Sequence, residues 1–292
     1  MIKPKLELLA GALLGEGPRW CAREQALYWV DILRPALHRY SPRDGSKRRW
    51  ALPESIGCAA SLGGGLWLLA LRSGLHAIDT VTGALERLNT VEHATPQHRF
   101  NDGAVDPQGR FWVGSMSESG GQTGGLYRYD SPRGEWISHG WSVPNGIGWS
   151  PDGSIMYATD SRLRVIWAYD YALDSGVPGN RRVFATFEHG VPDGLAVDAE
   201  GCVWSAIWDG WRVVRLDPQG REISRVEMPV QRPTSVAFGG SSLRTLYVTS
   251  ASVNLQRPEG GDWLAGALFS VETTVPGLPS RDARLRLAGV PV

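Results

Sequence analysis

The chain repeats one short design, and that repetition restricts the fold more than any single motif. Residues 100–112, 144–157 and 192–204 each set Asn or Asp in a Gly/Pro corner and follow it with a short apolar run. Each then turns at a Gly and enters a second run with an aromatic near its start. Aligning on that aromatic gives Tyr28, Trp67, Trp112, Tyr157, Trp204 and Tyr247, at intervals of 39, 45, 45, 47 and 43 residues. A further short run follows each marker, usually ending in Asp, as in residues 75–79, 126–130, 166–170 and 213–217; residues 37–40 and 267–271 complete the set. A unit of about 45 residues holds four short strands and their turns, the size of one propeller blade. With 36 Gly and 13 Trp and almost no run of apolar residues at helical spacing, the chain is expected to be all-β. We therefore expect a six-bladed β-propeller forming a single domain over residues 1–292. An open solenoid would need polar caps at both ends; instead the start of the chain, which Glu7 keeps from being a convincing leader peptide, reads as a strand over residues 5–9 that closes the ring on the last blade.

Equal numbers of basic and acidic residues, 30 of each, leave no electrostatic footprint for nucleic acid or an anionic membrane. The longest apolar run, residues 66–71, is far short of the ~20 residues of a membrane span. Cys21, Cys58 and Cys202 are too few and too scattered for a disulfide framework or a paired-ligand zinc site. These features lead us to expect a soluble, cytoplasmic monomer or weak homo-oligomer whose partner is a small molecule.

In a propeller the innermost strands start around the axis, so equivalent positions in successive blades converge there. Eleven or twelve residues before each aromatic marker stand Glu16, Ser55, Asn101, Asn145, Asp193 and Ser235. A lone Asn-Gly or Asp-Gly is usually only a turn. A ring that draws on Glu, Asn, Asn and Asp is more specific than any of its members. Carboxylate and amide oxygens suit one hard divalent cation such as Ca2+, Mg2+ or Mn2+, and a central metal site is expected, with Zn2+ a further option. No nucleophile-elbow Gly-x-Ser-x-Gly and no His pairing argues for serine or zinc-type hydrolysis.

Gly15-Glu16-Gly17-Pro18, Arg99-Phe100-Asn101-Asp102-Gly103, Gly114-Ser115-Met116, Pro144-Asn145-Gly146 and Pro192-Asp193-Gly194, in that order, resemble the senescence marker protein, gluconolactonase and luciferin-regenerating-enzyme family, which includes regucalcin. The resemblance runs from about residue 14 to about residue 250. It implies one divalent metal on Glu16, Asn145 and Asp193, substrate contacts from Arg99 and Asn101, and hydrolysis of a sugar lactone such as a glucono-, galactono- or arabinonolactone. Asp193 is the expected general base. Some relatives carry two adjacent acidic residues after the Gly-Ser/Thr-Met motif; here Ser117-Glu118-Ser119 leaves Glu118 as the one carboxylate expected to contact substrate. Two other readings stand beside this one: a binding propeller pinned by its ion, and a hydrolase of other esters or organophosphates.

Overall fold

The structure, a computed structural model, describes residues 3–91, 93, 95–255 and 263–285. Twenty-four strands, β1 to β24, form six four-stranded antiparallel sheets. Blade 1 runs β2 (Gly15–Cys21), β3 (Ala26–Asp31), β4 (Ala36–Tyr40) and β5 (Lys47–Ala51). Blade 2 is β6 (Ile56–Gly63), β7 (Leu66–Leu71), β8 (Gly74–Asp79) and β9 (Leu85–Arg87). Blade 3 is β10 (His98–Val105), β11 (Phe111–Ser117), β12 (Gly124–Tyr129) and β13 (Glu135–Trp141). Blade 4 is β14 (Pro144–Trp149), β15 (Ile155–Asp160), β16 (Val165–Ala172) and β17 (Val177–Thr186). Blade 5 is β18 (Val191–Val197), β19 (Val203–Trp208), β20 (Arg212–Leu216) and β21 (Glu222–Glu227). Blade 6 takes β22 (Pro233–Gly239), β23 (Thr245–Ser250) and β24 (Leu268–Glu272) from the end of the chain and its outer strand, β1 (Lys5–Leu8), from the start, with Lys5 opposite Ser270. The innermost strands pack side by side around the axis, β22 against β2 included, so the expected ring is closed.

Every aromatic marker lies on the second strand of its blade and is buried, from 0% exposure at Trp112 to 4% at Trp204. The core lies between blades, where the rings meet: Tyr28 stacks on Trp67 at 4.0 Å, and Trp20 on Tyr247 at 5.6 Å across the closing seam. Burying a ring of this size contributes on the order of 2–3 kcal/mol relative to leaving it in water, which is why the period is written in Trp and Tyr.

Each innermost strand slips register against its neighbour near its start, between Glu16 and Arg19, Ile56 and Ala59, Phe100 and Gly103, Pro144 and Ile147, Pro192 and Leu195, and Pro233 and Ser235. Such bulges bend a strand and re-aim its side chains. In blades 3, 4 and 5 they contain Asn101, Asn145 and Asp193. Glycine in the bulges permits the close approach of neighbouring blades: a Cβ on Gly194 would land on Ser235, and one on Gly146 would lie 2.8 Å from the Asp193 carbonyl oxygen.

The chain beyond β24 crosses the face opposite the bulges. Gly277 N donates to Leu243 O in blade 6, Ala199 N of blade 5 donates to Pro276 O, and Ala283 N donates to Ser61 O in blade 2. Arg23 anchors this strap through Asp282 at 2.6 and 3.0 Å. Beneath it is a cavity of about 250 Å³, lined by residues that follow the bulges, among them Arg19, Ala60, Ala104 and Gly148. No helix among the described residues is long and apolar enough to cross a membrane.

Candidate active site

Asn101, Asn145 and Asp193 fall inside the bulges of blades 3, 4 and 5, unpaired in the ladder. Glu16 still pairs with Val30, one residue before the bulge of blade 1, and has the longer side chain of the set. All four are buried, at 4–6% exposure. The cavity beneath the strap does not include them; their site is at the other end of the channel.

The hydrogen bonds sort these donors. Asn145 Nδ2 donates to Ser161 Oγ at 3.0 Å, and Ser161 Oγ donates to Pro192 O at 2.7 Å. With its amide nitrogen thus fixed, Asn145 is left with a buried Oδ1 that has no hydrogen-bond partner among the described residues. Asp193 Oδ1 and the hydroxyls of Ser55 and Ser235 are likewise buried and unpartnered. Asn101 differs: its Nδ2 donates to Pro144 O at 2.9 Å and its Oδ1 accepts from Arg99 Nη1 at 2.7 Å. Arg99 Nη1 also donates to Phe100 O at 2.9 Å, and its Nε lies 3.3 Å from Glu118 Oε1. Glu118, exposed at the rim, also accepts from Arg72 Nη2 at 2.7 Å. Glu118 therefore joins two arginines, and Arg99 holds the oxygen of Asn101.

Charge in the channel is unbalanced. Burial first, then the neighbouring Asp102, pushes the Glu16 carboxyl from 4.5 up to about 8. Burial, then Glu16 and Asp102, pushes the Asp193 carboxyl well above the usual carboxylate range. Asp102 is itself raised by burial, against the pull of Arg19, its ion-pair partner at 3.6 Å. Burial lowers Arg99. Two buried carboxylates with no ion-pair partner among the described residues, flanked by an orphaned amide oxygen, are residues that could hold a hard cation. Among the described residues no three His, Cys, Asp or Glu side chains cluster at metal-binding distance; the oxygen set here depends on an amide.

Sequence reasoning assigned Asp102 only to its own turn. It does accept from Gly103 N at 2.7 Å, but it also faces the channel charge. Ser161 was missed altogether; its only signal is its place just after the second strand of blade 4, beside Asn145.

The fold and site define a class: a closed six-bladed propeller with a buried, oxygen-rich, anionic site at one mouth of its channel. Residues 14–252 match the family model of the SMP-30/gluconolactonase/LRE-like region, and the chain belongs to that family. It is 44% identical to the 6-deoxy-6-sulfogluconolactonase of Pseudomonas putida, over 91% of this chain and 93% of that one. It is 38% identical to the L-arabinolactonase of Azospirillum brasilense, over 95% and 93%. Among solved structures it resembles a calcium-binding protein, regucalcin, of Agrobacterium tumefaciens, with a TM-score of 0.93 at 31% identity, covering 97% of this chain and 98% of that one.

Proposed function

We propose that this protein is a metal-dependent sugar lactonase that opens an aldonolactone to its aldonic acid. The observation that carries the reading is the pair of orphaned buried oxygens, Asn145 Oδ1 and Asp193 Oδ1, beside the raised carboxyl of Glu16. The names of the relatives, lactonases of a sulfogluconate and an arabinose ring, support the substrate class. That the similar Agrobacterium regucalcin is a calcium-binding protein supports a divalent cation. Glu16, Asn145 and Asp193 would hold it. When bound, such an ion supplies Lewis-acid polarisation of the ester carbonyl and charge stabilisation of the oxyanion.

The remaining work falls to the chain. Asp193 takes the proton of the attacking water on its carboxylate, of which one oxygen would remain for holding the cation. Water adds to the acyl carbon, the ring C–O bond breaks, and the proton returns to the leaving alkoxide. Burial keeps bulk water from competing for Asp193. Arg99 orients Asn101 for a ring hydroxyl, and Glu118 accepts a second hydroxyl at the rim.

The test is a pH-indicator assay of wild type and Asp193→Ala on five- and six-membered sugar lactones, after chelation and after return of each divalent ion. Metal-dependent acidification by wild type alone supports the reading. Uncatalysed rates throughout, with the cation still raising thermal stability, would replace it with a binding propeller pinned by its ion.

A further inference from the structure

The mouth of the site between blades 2, 3 and 4 carries more positive charge than hydrolysis of a neutral lactone requires. Arg72, Arg99 and Arg162 surround the loop from Glu118 to Thr123, and Glu118 is the carboxylate that answers them. Glu118 divides itself between Arg72 Nη2 at 2.7 Å and Arg99 Nε at 3.3 Å. Neither pairing is exclusive, and Arg99 Nε, in a residue only 7% exposed, meets Glu118 as an ion pair outside hydrogen-bonding geometry. Arg162 approaches from the other side of the loop. Its Nη1 lies 2.6 Å from where a Cβ on Gly120 would stand, so the left-handed Gly120, at φ +87°, leaves the space its guanidinium occupies. Arg162 is exposed and makes no hydrogen bond or ion pair among the described residues. It follows Ser161, which fixes Asn145 through Nδ2, so its backbone is anchored beside the site.

An arginine held beside a site with no acceptor is a planar donor fork awaiting an oxyanion. We propose that this mouth selects lactones bearing a fixed anionic substituent, a sulfonate, phosphate ester or carboxylate, remote from the ester that is cut. The anion lies between Arg162 and Arg72, and Glu118 keeps Arg99 turned toward Asn101. The inference rests on the lactonase reading and deepens it. It assigns Arg72 and Arg162 as specificity residues.

The experiment compares each neutral aldonolactone with its terminally sulfonated, phosphorylated and carboxylated counterparts, in the cation that supports activity. The quantity read is the ratio of kcat/KM, anionic over neutral, for wild type, Arg162→Gln, Arg162→Lys and Arg72→Gln. Wild type should favour at least one anionic substrate by about tenfold or more. That preference should fall about tenfold in Arg162→Gln, return in part in Arg162→Lys, and shrink as salt rises, since rim charges are screened over about 8 Å at physiological ionic strength. The arm that shows the preference identifies the anion. A ratio near one in wild type, unmoved by either substitution or by salt, overturns the inference while leaving the lactonase reading intact. If no lactone is hydrolysed, calorimetry with the matching 1,5-anhydro sugar sulfonate, phosphate and carboxylate decides separately: binding by wild type that Arg162→Gln weakens upholds the anion site, and no binding overturns it.

Discussion

Chelation should make the stability of this protein fall as pH rises, the reverse of what carboxylates usually do. Glu16 sits at about 8 in the folded chain against 4.5 when free. Between those values the folded protein keeps a proton that the unfolded chain has released. Stability is therefore full below about pH 4.5, declines toward pH 8 and levels off above it. One retained proton is worth about 1.4 kcal/mol per pH unit, so Glu16 alone sets a loss on the order of 5 kcal/mol across the window. Asp193 and Asp102 are shifted in the same direction and add to the slope. Urea titrations followed by tryptophan fluorescence, in chelator from pH 5 to 8, measure it directly. A saturating divalent cation should flatten the profile, since the ionised carboxylates become ligands, and at 100 times its Kd should add about 2.7 kcal/mol. Glu16→Gln should remove one proton's share of the slope. A chelated wild type whose stability is flat, or rises with pH, refutes the claim that these carboxylates are buried without compensation.

Three further outcomes follow from the geometry. Asn145→Ala should raise the cation concentration needed for half-maximal thermal stabilisation by tenfold or more, because it deletes an oxygen that Ser161 and Pro192 hold in place. Gly194→Ala should cost about 2–4 kcal/mol in chemical denaturation, since its methyl meets Ser235 of the next blade and overpacked sites relax poorly; Ser235→Gly should recover part of that loss. Removing residues 1–9 strips β24 of its outer partner and exposes a strand edge, which light scattering should register as concentration-dependent aggregation absent from the full chain.

The propeller was legible because its period is written in residues with few other uses. A Trp or Tyr every 39 to 47 residues marks the second strand of each blade, and the runs that follow are the third strands. Burial of large rings between blades makes that spacing obligatory. The ring of oxygen residues was visible for a related reason, since bulges need Gly, Pro and short polar side chains. What the sequence could not disclose was which oxygens are free. Asn101 and Asn145 look alike on paper, each in a turn before a Gly or Asp-Gly. Arg99 occupies the oxygen of one, while Ser161 takes only the nitrogen of the other. Arg99 lies two residues before Asn101 on the same strand and Ser161 just after the strand beside Asn145, and neither spacing tells which atom of the amide is taken. Glu118 likewise gives no sign in the sequence of the two arginines it joins at the rim.

The pairing of Lys5 with Ser270 has a consequence for how the protein is made. The first strand leaves the ribosome with no partner and waits for the last, more than 260 residues later. At ordinary translation speeds of about 5–20 residues per second, that wait is roughly ten to fifty seconds. Through it blades 1 to 5 can assemble from neighbouring sequence, while blade 6 stays open and the axis stays wet. Glu16, Asn101, Asn145 and Asp193 are synthesised in that order on blades 1, 3, 4 and 5, and the ring that surrounds all four closes only when β24 arrives.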